Sequence, residues 1–274
     1  MSAVTLGLLA VLVNAGTAVL SKGLTERYPA RPLIGVLLAL NCLILLPFAP
    51  FVEWHWSPQI VVLHVASAAL MIISSVPVWD MFDAGAASAT TTAQALSPLA
   101  AAVGTAVLLP GTVAPGQVLA AVVVVIGVTW ALQGAFVGLT RRGSIARVLL
   151  AAGGVGMLTV VTKLLADDGV GVVETYVVRT GLAAAVMLVL IPPRGIPRSG
   201  APRLLVRSLA VTTFFVLVIL AVQRGDPVTV QTLVAVTPLV ILAWESVRAR
   251  TRPALRALAG ALLAAMGVAV VLGL

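Results

Sequence analysis

Apolar residues run along this chain in blocks rather than in alternation. Stretches of about 18 to 25 apolar residues, each able to cross a roughly 30 Å hydrocarbon layer, occupy positions 3–21, 33–52, 59–79, 85–109, 116–137, 146–165, 174–191, 204–222, 227–245 and 255–274. They predict ten helices. Strands are not an option, because an open sheet edge leaves backbone groups unpaired in lipid and no alternating barrel pattern is present. The breaks carry turn residues or charge: Pro29 to Pro32, Pro110 to Gly116, Arg141 to Gly143, Asp167 to Gly171, Pro192 to Pro202 and Arg248 to Pro253. All are short, so no extramembrane domain is expected.

The pattern also repeats. Ser97-Pro98-Leu99, followed by Gly127-Val128, returns 140 positions later as Thr237-Pro238-Leu239, followed by Gly267-Val268. At the same offset Gly85, Thr92, Ala95, Ala114 and Ala121 meet Gly225, Thr232, Ala235, Ala254 and Ala261. One position out of phase, Val19-Leu20-Ser21-Lys22 meets Val160-Val161-Thr162-Lys163, the slip of a single inserted loop residue. A period near half the chain means two copies of a multi-helix unit, not a solenoid. Five helices per copy is an odd number, which forces the second copy into the membrane upside down. The expected fold is an all-α integral membrane protein, ten transmembrane helices in two inverted five-helix repeats, 1–140 and 141–274.

Composition agrees. Hydrophobic residues make up 61% and charged residues 9% of 274, which excludes an ordinary aqueous domain. The net charge of +8 is then a topology signal in loops, and nucleic acid is not an expected partner. Fourteen Lys and Arg fall in the first, fifth, seventh and ninth loops. They are Lys22, Arg27 and Arg31; Arg141, Arg142 and Arg147; Arg194, Arg198, Arg203 and Arg207; and Arg248, Arg250, Arg252 and Arg256. The even loops hold only Arg224. The positive-inside rule makes the odd loops cytoplasmic and both termini external, in what is read as a prokaryotic plasma membrane. No basic residue precedes the first apolar run, so that run is expected to stay as a helix and not to be cleaved as a signal. The lone Cys42 allows no intrachain disulfide and no metal cluster.

In each half, a helix of small residues runs into a Pro-Leu step, and the following helix carries a Gly-Val pair: Pro98-Leu99 with Gly127-Val128, and Pro238-Leu239 with Gly267-Val268. This order resembles the drug/metabolite transporter superfamily, specifically its ten-helix EamA-like branch, over nearly the whole chain. The resemblance implies a central cavity between two halves that closes alternately on either face. The Arg often found early in the second helix of each repeat fits Arg179, whereas the paired position is Leu38, so the resemblance implies a basic residue in one half only.

Candidate residues follow from cost in lipid. Pro98 and Pro238 are expected near mid-helix, freeing the carbonyls of Gln94 and Val234, as a hinge or as a packing kink. Thr90, Thr91, Thr92 and Gln94, with Thr229, Gln231, Thr232 and Thr237, are expected to face substrate or to bond neighbouring helices. Arg179 lies five residues beyond Glu174, where a charge costs roughly 3 kcal/mol or more unless it finds water or a partner. It either anchors an anionic group or pairs with Asp167, Asp168 or Glu174. Lys22 and Lys163 occupy matching places as gates or interfacial anchors. Asn14 and Asn41 either line the cavity or bond between helices. Trp54 and Trp56 read as interfacial belt residues, and Trp130 and Trp244 as deeper substrate candidates. The small residues Ala257, Gly260, Ala261, Ala264 and Ala265 form a close-packing face, with a weak homodimer contact as the lesser reading beside a monomer.

No zinc-protease His pair, Gly-x-Ser-x-Gly elbow or phosphate-cradling loop occurs, so neither an enzyme nor a cofactor is expected. Asp80 and Asp83 are too few for a metal-dependent transferase, and His55 and His64 look isolated. The leading function is a secondary transporter that exports a small metabolite. A flippase for a lipid or lipid-linked sugar is the alternative, and a membrane scaffold the non-transport reading. Glu174, Asp226 and Glu245 near helix ends favour facilitated or exchange transport over proton coupling.

Overall fold

The computed structural model describes residues 1–84, 87–132, 142–197, 200–250 and 254–273. Gly85, Arg141, Arg198, Arg252 and Pro253 lie outside the described residues, as do the side chains of Thr92 and Arg142. Among the described residues the regular structure is all helical, and the ten expected spans are present. They are α1 (Ala3–Thr25), α2 (Ala30–Leu45, continued by a 3-10 turn, Leu46–Phe51), α3 (Pro58–Ala84), α4a (Ala87–Gln94) with α4b (Ser97–Leu108), and α5 (Pro115–Ala131). The second half supplies α6 (Arg142–Asp167), α7 (Val172–Leu190), α8 (Ala201–Arg224), α9a (Pro227–Val234) with α9b (Thr237–Ala249), and α10 (Leu255–Leu272).

The ends follow from capping chemistry. Ser2 accepts from the Thr5 amide at the start of α1, and Asp226 accepts from the Thr229 amide at 2.7 Å ahead of Pro227 at the start of α9a. After α6, Gly169 adopts φ +84° and the Val170 amide reaches back to the Leu165 carbonyl at 2.9 Å, a left-handed cap that reverses the chain into α7. Among the described residues eight stretches are long and apolar enough to cross a membrane unaided, counting α9a and α9b together; α5 has 17 residues and α4 reaches that length only as α4a plus α4b.

Proline positions correct the expected mid-helix kink. Spans four and nine are each interrupted by a two-residue turn, Ala95-Leu96 and Ala235-Val236, and Pro98 and Pro238 sit in the first turn of the next helix. A proline has no N–H to give and its ring clashes with the carbonyl four residues back, so the first helical turn is where it costs least. The Val234 carbonyl is not left free, because the Thr237 hydroxyl donates to it at 2.7 Å.

The helices pair in a definite order. α5 packs along α10, α1 along α8, α3 along α6 and α2 along α7, while α4b meets α9a and α4a meets α9b. Exchanging each span with the one five places away returns the same set of pairs. At the α5–α10 seam a Cβ on Gly127 would stand 2.5 Å from the Ala264 nitrogen, and one on Gly260 would stand 2.5 Å from the Gly127 carbonyl oxygen. Ala257, Gly260, Ala264 and Gly267 are buried there, whereas Ala265 is exposed, so the close-packing face turns through 257, 260, 264 and 267.

Candidate functional site

Inside the bundle lie two chambers of about 100 and about 60 Å³, which share Asn14, Thr91, Gln94, Val155, Leu158, Phe214 and Phe215 as walls. α1, α3, α6 and α8 form the sides, and the broken spans contribute Gln94 at the end of α4a and Gln231 in α9a. The lining falls in pairs at the repeat spacing. Met71, Ser74, Ser75 and Val78 of α3 stand 140 positions before Val211, Phe214, Phe215 and Val218 of α8, and all eight line the cavity. Thr91, Gln94, Ala95 and Ser97 are matched in the same way by Gln231, Val234, Ala235 and Thr237. Asn14, Thr17, Ala18 and Ser21 of α1 are matched at 141 by Val155, Leu158, Thr159 and Thr162 of α6.

A buried amide ties the breaks together. Gln231 is 2% exposed; Ser97 donates to its Oε1 at 2.7 Å, and its Nε2 donates to the Thr159 hydroxyl. Asn14 links α1 to α9b, its Nδ2 donating to the Thr237 hydroxyl at 3.3 Å while Thr17 donates to its carbonyl oxygens. Gln94 lines both chambers and makes no hydrogen bond among the described residues. Thr91 also lines both, with its hydroxyl returned to the Ala87 carbonyl.

Arg179 is 1% exposed and lines the smaller chamber. Its Nε donates to Ser67 and its Nη2 to the Thr162 hydroxyl at 2.6 Å. The alternative of pairing with Glu174, Asp167 or Asp168 is not found among the described residues: Lys163 holds Asp167 at 2.7 Å, Gln59 donates to Asp168, and Glu174 accepts from the His55 amide. Fully buried, Glu174 accepts from the His55 amide at 3.1 Å, contacts His55 Nδ1 at 3.2 Å and lies 3.7 Å from His64 Nε2. His55 and His64 are therefore not isolated. The bend after the 3-10 turn carries His55 back over the start of α7, a contact across 119 positions that no local pattern encodes. Asp80 and Asp83 are not a pair either, since Arg31 takes Asp80 with two bonds of 3.0 Å.

Sequence reasoning missed Arg207. Counted as a loop charge, it lies within α8, lines the larger chamber, donates its Nε to Ser21 at 3.1 Å, and sets its guanidinium 5.0 Å over the Trp79 ring. Its position past Pro202, a natural first-turn proline, was the available signal. The remaining candidates stand apart from the chambers. Thr232 is buried with its hydroxyl on the Val228 carbonyl, and Asn41 is buried in α2. Trp130 and Trp244 are 48% and 57% exposed on the outside of the bundle. Lys22 donates to the Phe82 carbonyl at 3.1 Å.

An all-helical membrane bundle closed around a polar cavity is the build of a carrier. Residues 143–273 match the sequence model of the EamA-like transporter family. The second half of the chain is thus similar to that family, and a membrane transporter of this kind is what the match supports. Among solved structures, one titled "Crystal structure of protein" superposes with a TM-score of 0.76 at 18% identity, covering 98% of this chain and 96% of that one, which shows the shared fold. No curated protein matches the sequence.

Proposed function

We propose that the chain is a secondary transporter that exports a small metabolite by alternating access between two inverted halves, 1–140 and 141–274. The observation that carries this reading is the paired lining: an inverted repeat supplies each wall of a central site twice, once from each half. The exchange-invariant order of helix pairs supports it as well. Asn14, Thr91, Gln94 and Gln231 are the polar contacts of the site. The turns ahead of Pro98 and Pro238 are the hinges, and Lys22 and Lys163 close the two faces.

The test is counterflow in proteoliposomes with a panel of labelled metabolites. Accelerated exchange of at least one compound, abolished by Val155→Trp in the cavity wall, is expected. Scrambling of labelled lipid with no metabolite counterflow would replace the carrier with a flippase.

A further inference from the structure

Among the described residues the two chambers hold two positive charges and no negative one. Arg207 lines the larger and Arg179 the smaller, and neither lining includes an Asp or Glu. Among the described residues no carboxylate comes within 4.0 Å of either guanidinium; Asp80 is taken by Arg31, Asp167 by Lys163, and Glu174 lies against the two histidines. The partners they do have, Ser67 and Thr162 for Arg179 and Ser21 for Arg207, are neutral hydroxyls that orient a guanidinium without neutralising it. The Nη1 of Arg179 and both terminal nitrogens of Arg207 donate to nothing among the described residues. A guanidinium does not lose its proton, so an unbalanced one inside a bilayer is costly until an anion reaches it.

The two arginines are also placed alike. Arg207 stands 6 residues into α8 and Arg179 7 residues into α7, each roughly 10 Å along its helix at the usual rise. Because α7 and α8 are consecutive spans running in opposite directions, these depths are measured from opposite faces. Ser21, the partner of Arg207, corresponds at 141 positions to Thr162, and Ser67 precedes Arg207 by 140. Arg179 therefore grips the two positions that match Ser21 and Arg207 in the other half. A cation stands at equivalent places in both halves, supplied once from α8 and once from α7, although Leu38 is the sequence counterpart of Arg179.

Resting on the carrier reading above, we propose that the transported molecule is a small organic anion, and that Arg207 and Arg179 are its two binding stations, one toward each face. Each offers a fork suited to a carboxylate. Phe214, Phe215 and Leu158 between them give an apolar wall for a short carbon body.

The test uses the purified full chain in mild detergent, with melting temperature and binding titration read against mono- and dicarboxylates of two to six carbons, their amides, and the matching amines. Carboxylates alone are expected to raise the melting temperature. Arg207→Gln and Arg179→Gln should each weaken binding by roughly ten- to hundredfold. Arg207→Lys and Arg179→Lys should recover part of that loss while melting like the parent without ligand, which keeps the test valid if a Gln variant folds poorly. Equal stabilisation by amides or amines, carboxylate binding indifferent to both arginines, or no carboxylate binding at all would overturn the proposal. Counterflow of a neutral compound that does bind would leave the carrier standing and remove only the anion.

Discussion

Two glutamines, four residues before Pro98 and seven before Pro238, look alike in sequence, yet their surroundings give them different work. Gln231 spends its amide on Ser97 and Thr159, joining α9a to α4b and α6, whereas Gln94 lines both chambers with no bond among the described residues. Gln231→Leu should lower stability by about 1–3 kcal/mol, the sum of two interhelical bonds at the scale measured in membranes. Gln94→Leu should leave the melting temperature unchanged and reduce counterflow. Equal melting temperatures for the two variants would contradict this division. Glu174 is the third case. Its carboxylate satisfies the His55 amide and ring, so Glu174→Ala orphans a backbone donor and should cost about 1–3 kcal/mol in a thermal melt. Neither the bond made by Gln231 nor the one made by Glu174 is legible locally, since each partner lies 72 or more positions away.

Among elements, the broken spans four and nine and the α5–α10 seam carry the most consequence. Pro98→Ala or Pro238→Ala restores an N–H and lets the helix run through its turn, so transport should fall while insertion and folding persist. Parent-like turnover in both variants would reduce these turns to packing. At the seam, Gly260→Leu drives a side chain into the α5 backbone around Ala131 and Gly127. A large loss of melting temperature is expected there, while the exposed Ala265→Leu on the same helix should change it little.

For the whole molecule, the orientation read from loop charge predicts that, in a Cys42→Ala background, cysteines at Ser2 and Gly273 label from outside and one at Gly200 only after permeabilisation. Labelling of Gly200 in intact cells would invert the assignment, and with it the face served by Arg207. That arginine shows how a charge count can mislead. Arg207 adds to the loop total in the sequence, yet it sits inside α8 against Ser21 and Trp79, 186 and 128 positions away.

The sequence by itself determined the ten apolar spans, the turn residues and charges between them and the Pro-Leu and Gly-Val steps of the two halves, because span length and turn chemistry are set by neighbours along the chain and by the thickness of the bilayer. It also marked Asn14, Thr91, Gln94, Gln231 and Arg179 as polar groups that lipid would penalise, and all five line the cavity. Only the tertiary structure decided which of these amides are spent on other helices, that Glu174 is held by His55, and that Arg207 and Arg179 face a space with no carboxylate among the described residues. Those outcomes depend on which helix faces which. Side chains brought together from α1, α3, α6, α7 and α8 meet across distances that no local pattern along the chain records.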